Sequence, residues 1–203
     1  MFWIDFINGS NIMNSKATTQ KNIILGIDPG SNVTGYGVIL SSRTSLELLH
    51  IGSLHLDKYE DSFQRMEIIF KKVSTLIDTY QPIALAIEAP FFAKNVQSML
   101  KLGRAQGMAI AAALNKGVDI FEYSPKKVKQ SVTGNGNAAK EQVAAMLGHI
   151  LKTDALPKQL DATDGLAVAI CHHFCQYSVA SSGKKYNSWN AFISDNPKKV
   201  SGK

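Results

Sequence analysis

Apolar residues run almost unbroken through "NIILGI" at residues 22–27 and stop on Asp28, the pattern of a buried strand rather than of a half-exposed one. "TGYGVIL" and "LELLHIGSLHL" follow as second and third strands of an antiparallel meander. In "SFQRMEIIFKKVSTLIDTY" the period changes. Phe63, Met66, Ile69, Phe70, Val73 and Ile77 recur at helical spacing, which predicts an amphipathic helix packed on the sheet. After Pro82, "IALAIEAP" carries too little polarity for a half-exposed strand, so a central position is expected. "NVQSMLKLGRAQGMAIAAALNKG" predicts a long helix rich in alanine and glycine, with Gly117 as its stop.

"VDIFEYS" reads as a fifth strand, and Ser124-Pro125 provides an N-cap and a first-position proline for the helix "KKVKQSV". After the loop "TGNGN" come the helix "AAKEQVAAMLGHIL" and a last helix, "DATDGLAVAICHHFCQY". Three strands, helix, strand, helix, strand and then helices predict an α/β layer fold, with a mixed five-stranded sheet flanked by helices. Residues 1–20 show no period and read as a disordered N-terminal extension, with Met13 as an alternative start. Residues 21–177 form the domain, and residues 178–203 read as a disordered basic tail.

Composition adds limits. No apolar run approaches the ~20 residues a membrane span needs. The opening "MFWIDFINGS" has no basic start, and Asp5 breaks its apolar stretch, so no signal peptide is expected. Two cysteines, Cys171 and Cys175, are too few for a disulfide framework, and a cytoplasmic setting is the expectation. They flank "CHHFC", whose helical spacing suits core packing better than a zinc site. The net charge is +6, unevenly spread: residues 94–140 carry eight Lys/Arg against two Asp/Glu, whereas 21–93 and 141–177 are each at −2. A basic middle between acidic flanks fits a protein that needs cations for one task and clustered carboxylates for another. Solvated surface charge would account for it equally well.

The carboxylates sharpen that choice. Asp28 ends the first strand and Glu88 ends "IALAIE". If those strands are parallel neighbours, the two side chains meet at the sheet edge where open α/β sheets place ligands. Asp161 and Asp164, three apart at the start of the last helix, share a face. Four acids gathered together would bind protons or recruit hard divalent cations such as Mg²⁺ or Mn²⁺. Two such ions about 3.5–4 Å apart are suited to in-line attack of water on a phosphodiester. Each acid also has a plainer reading. Asp28 before Pro29-Gly30 suits a turn, Asp161 an N-cap, and Asp164 the dipole of the helix; Glu88 is the hardest to dismiss. Gly30 is expected to supply a positive φ, and Gly35 and Gly37 to mark a close approach of backbone or ligand.

Four stretches, "ILGIDPGSNVTGYGVI", "IEAPFFAKN…LKLGRAQG", "VKQSVTGNGNAAKEQV" and "DATDGLAVAICH", together resemble the RuvC family of bacterial Holliday junction resolvases, collinearly over residues 23–177. The resemblance implies an RNase H-like fold and a homodimer that nicks opposing strands of four-way junction DNA symmetrically, using Mg²⁺ or Mn²⁺. It implies metal-binding acids at Asp28, Glu88, Asp161 and Asp164, a junction-facing aromatic at Phe91, and basic residues near the scissile strand at Lys129 and Lys140. The helix over 94–117 is implied as the dimer interface, and the RuvA–RuvB branch-migration complex as a further partner. Many relatives read Gln-Ala-Arg where this chain has Arg104-Ala105-Gln106, so no role passes to Arg104.

The implied activity is recombination and repair by endonuclease cleavage, leaving 5′-phosphate and 3′-hydroxyl ends. Two other classes compete with it. Sugar kinases and chaperone ATPases open with a similar Gly-Ile-Asp-x-Gly turn, but their two duplicated halves exceed 203 residues. A catalytically idle junction-binding protein would have no need for all four acids.

Overall fold

A computed structural model describes residues 22–90, 95–153, 156–157 and 159–181. Residues 1–20, the tail after 181, and Phe91 lie outside the described residues. β1 (Asn22–Asp28), β2 (Val33–Ser41) and β3 (Leu46–His55) form the expected meander. They are followed by α1 (Ser62–Tyr80), β4 (Ala84–Glu88), α2 (Val96–Asn115) and β5 (Asp119–Tyr123). The chain then runs through α3 (Pro125–Thr133), α4 (Lys140–Leu151) and α5 (Leu160–Ser181). The sheet order is β3-β2-β1-β4-β5, with β4 parallel to both β1 and β5. This is the mixed five-stranded α/β sheet of an RNase H-like fold.

Local chemistry sets the ends of these elements. Asp61 caps α1 by accepting from the Phe63 and Gln64 amides, Asn95 caps α2 through Gln97 and Ser98, and Ser124 caps α3 through Lys127. Gly117 and Gly134 take left-handed φ just past α2 and α3. Gly30 does not: its φ is not positive. It is required for space instead, because a β-carbon there would lie 1.9 Å from the Val33 carbonyl oxygen in the tight turn that leaves β1. Phe63 also departs from the periodic reading. It is 72% exposed at the first turn of α1, and the buried stripe starts only at Ile69.

The sheet separates two cores. Leu25, Ile27, Leu85 and Ile87 face α1 and α2, while Ile24 and Ala86 face the layer of α3, α4 and α5. Strand side chains alternate, so Asp28 and Glu88 share parity with Ile24 and Ala86 and face α5. Both come one residue after the paired Ile27 and Ile87. Helix α5 lies directly on the strands because neither surface carries a side chain at the crossing. A β-carbon on Gly35 would sit 1.9 Å from the Asp161 carbonyl oxygen, and one on Gly165 would sit 2.5 Å from the backbone of Gly35 and Tyr36. Gly35 is itself the pairing partner of Asp28. The crossing therefore seats the first turns of α5 beside the strand end that carries Asp28.

The "CHHFC" tract is part of this packing. Cys171 is fully buried, and burial pushes its thiol up to about 12. His172 Nδ1 pairs with the Tyr123 hydroxyl at 2.7 Å, and His173 Nδ1 with Ser41 Oγ at 2.8 Å. Burial holds both imidazoles below their usual range. Among the described residues, no helix is long and apolar enough to cross a membrane.

Candidate active site

Asp28 and Glu88 open into a cleft at the carboxyl edge of the sheet, lined also by Lys129, Lys140 and Asp164. Its walls come from β1, β4, α3, α4 and α5, so residues up to 139 positions apart contribute to it. Val128 and Val132 bury one face of α3 against the core, which leaves Lys129 on the cleft side. Lys140 is the first residue of α4, where a cation opposes the helix dipole. Its ammonium donates to the Asp164 carboxylate and lies 4.0 Å from Asp161 Oδ1. That pairing offsets the unfavourable position.

Five of the expected residues thus meet in the cleft, and a sixth stands at its rim. The side chain of Asp164 is 17% exposed, that of Asp161 51%. Asp161 reaches the cleft through Lys140 and through its charge on Asp28. Phe91 lies outside the described residues, three positions beyond Glu88.

The electrostatics are those of a site short of positive charge. Burial is the main reason the Asp28 carboxyl is raised to about 7; the Asp164 charge adds to it and Lys140 opposes it. Burial likewise raises Glu88 to about 8, with Asp28 and Asp164 adding and Lys140 and Lys129 opposing. Burial alone would lower Lys140, but its bond to Asp164 and the surrounding acids hold it above the ordinary lysine value. Below neutral pH both of these acids therefore hold protons, with Asp28 about half protonated near pH 7, and Lys140 supplies the cation paired with Asp164.

The donor set fits hard divalent ions. All four candidates offer carboxylate oxygens, and Mg²⁺ or Mn²⁺ would replace the protons that burial and mutual repulsion now enforce. The acids are gathered without being drawn up as a coordination shell: among the described residues, no three carboxyl, imidazole or thiol groups stand at metal-holding distances.

Periodicity and spacing gave no hint of Gln106. This side chain is buried beneath the end of β4, where its Nε2 donates to the Glu88 carbonyl oxygen at 3.4 Å and to Glu122 Oε1 at 3.1 Å. It ties the backbone that carries Glu88 to β5 from the sheet's opposite face. The one available signal was a polar residue among the alanines of an otherwise apolar helix face.

Residues 24–172 match the family model described as crossover junction endodeoxyribonuclease RuvC. The protein of that name from Cytophaga hutchinsonii is 58% identical over 187 residues, 92% of each chain. Its counterpart from Christiangramia forsetii is 53% identical over 181 residues, 89% of this chain and 94% of the relative. Among solved structures, T. thermophilus RuvC in complex with Holliday junction substrate superposes with a TM-score of 0.72 at 33% identity. That alignment covers 78% of this chain and 96% of the solved one.

Proposed function

The chain belongs to the RuvC family of crossover junction endodeoxyribonucleases and is a Holliday-junction-resolving nuclease; from that membership we propose that Asp28, Glu88, Asp161 and Asp164 hold two Mg²⁺ ions at the scissile phosphate. The observation that carries this reading is the single cleft lined by Asp28, Glu88 and Asp164, with two carboxyls raised to about 7 and 8 and Lys140 against the acids. When bound, such ions sharpen the attacking water and neutralise charge on the leaving oxygen, giving 5′-phosphate and 3′-hydroxyl ends; Mn²⁺ is expected to substitute.

The protein's own groups perform the rest. Asp28 and Glu88 give up their protons as the site is loaded. Lys140, freed from Asp164 as the acids gain other counter-charge, turns its ammonium toward a phosphate oxygen. Lys129 holds the neighbouring stretch of backbone, a contact that positions the strand without reading its sequence. Phe91 stacks on an unpaired base at the crossover. An idle junction-binding protein would gain nothing from two buried carboxyls held protonated at a sheet edge.

The protein acts on four-way junction DNA as a homodimer through α2. Val96, Leu100 and Leu114 are exposed at helical spacing on that helix, and Gly103 and Gly107 between them meet nothing within 4 Å. A second copy covering this stripe would set two clefts against the two opposed strands, with the RuvA–RuvB motor as a further partner. The test is a synthetic four-way junction beside a matching linear duplex, with Mg²⁺ and then with EDTA. Symmetric nicking of the junction alone, abolished by EDTA, is expected. Asp164→Asn should keep junction binding and lose more than about 10²-fold in rate, since even residues that only support a metal ligand cost 10–100-fold. Equal nicking of both DNAs, or full activity in EDTA, would overturn the reading.

A further inference from the structure

A second cavity, of about 140 Å³, opens on the other side of the turn that follows Asp28. Arg65, Lys101 and Arg104 line it with Ser31, Ser62 and Glu60. Arg65 is fixed: its Nε donates to the Tyr59 carbonyl oxygen at 2.6 Å, and its Nη1 to the Ser31 carbonyl oxygen at 3.1 Å and to Asn32 Oδ1 at 3.0 Å. All three partners are neutral, so the guanidinium keeps its full charge. Lys101 and Arg104, three apart on α2, make no ion pair with any described residue, and neither does Glu60. Three cations against one acid leave an excess of two positive charges around a concave surface. An arrangement of this kind attracts a polyanion and supplies planar and point donors for phosphate oxygens.

Its place in the fold connects it to the cleft. Arg65 grips the 31–32 turn, three residues past Asp28, so one short loop has the acidic cleft on its α5 side and the basic cavity on its α1–α2 side. We propose that this cavity seats the phosphodiester backbone of the bound junction away from the scissile bond, with Lys101 and Arg104 each making one phosphate contact and Arg65 holding the loop between the two sites. The inference rests on the junction-nuclease reading above and adds a second backbone contact region to it. Glu60, on the same wall, would repel any phosphate displaced toward α1 and so fixes the strand's path along α2.

The test is binding of a fluorescent four-way junction by the full chain in Ca²⁺, across salt concentrations, for wild type and the Lys101→Ala/Arg104→Ala double variant. Sedimentation of both proteins and single-turnover nicking in Mg²⁺ at saturating protein complete it. Two lost contacts should lower the slope of log K against log salt by about 1.8, so that between about 50 and 200 mM the wild type loses about 12-fold more affinity than the variant. Saturated nicking should stay within about threefold of wild type. An unchanged slope overturns the proposal. So does a lowered slope that accompanies conversion to monomer, because the two cations would then serve the contact between copies. If wild type fails to distinguish junction from linear duplex, the nuclease reading itself falls, which is a separate result.

Discussion

The raised carboxyls of Asp28 and Glu88 make the strongest quantitative demand on this reading. With the pair at about 7 and about 8, both are ionised at pH 6 in only about one molecule in 10³, and at pH 9 in about nine of ten. An ion that needs both carboxylates should therefore bind about 10³-fold more tightly at pH 9 than at pH 6. The gain should be steepest below pH 7, close to one decade for each of the two protons, and should level off above pH 8. Stability should move the opposite way without metal. The folded protein keeps protons that the unfolded chain releases near pH 4, so folding becomes less favourable as pH climbs from about 4 to about 8. Bound Mg²⁺ reverses that trend by replacing the protons. Titration calorimetry with Mn²⁺ at pH 6, 7, 8 and 9, in buffers of different ionisation enthalpy, measures affinity and proton release together. Release of one to two protons at pH 6, falling toward zero at pH 9, is expected. Affinity constant within threefold across that range, with no protons released, would refute the assignment of Asp28 and Glu88 as ligands.

Other substitutions probe the supports of the cleft. Lys140→Met removes a charge that holds both raised carboxyls down, so the pH at which nicking reaches half its plateau should move upward, as a pH–rate profile would record. Gln106→Leu should weaken Mn²⁺ binding by about 10–100-fold, the range for groups that orient a metal ligand. Gln106→Glu should not restore it, since a carboxylate cannot donate to the Glu88 carbonyl. Gly35→Ala drives a methyl group into the Asp161 carbonyl and should cost about 1–3 kcal/mol, or about 2–10 °C in Tm by calorimetry, with nicking reduced further because α5 carries Asp161 and Asp164. Phe91→Ala should reduce junction affinity about 5- to 150-fold if the ring stacks on a base, and leave binding to linear duplex unchanged.

Much of the sheet was legible because β1, β2 and β4 are buried along nearly their whole length, and the helices because of the apolar spacing in α1, the Gly117 stop of α2 and the Ser124 cap of α3. The convergence of Asp28 and Glu88 was conditional on parallel pairing of β1 and β4. Once that pairing exists, parity alone sends both side chains to the α5 face. Three features were beyond periodicity. The role of Gly30 depends on the distance to Val33, and a turn glycine looks the same in sequence whether it supplies φ or space. The close approach at Gly35 is the one expected from the sequence, but its partner on α5, Gly165, lies 130 residues away and has no local signal. Lys101 and Arg104 read as ordinary solvated charge on α2, and only the fold brings Arg65 beside them.

Placing Lys140 at the start of α4 explains how a cleft so rich in acids can fold before any ion arrives. Four carboxylates with no counter-charge would repel one another strongly in a half-buried setting. Here the repulsion is met by protons on Asp28 and Glu88 and by one ammonium on Asp164, all of them exchangeable. A permanently fixed partner such as a buried arginine would stabilise the empty cleft more and compete with divalent ions for the same oxygens. A flexible lysine at an unfavourable helix position is held only by the acids it neutralises. In the proposed mechanism it would move to a phosphate oxygen once those acids have other counter-charge. Under the proposed assignment, the same arrangement that makes the unloaded protein tolerable would leave the loaded one with a cation beside the strand to be cut.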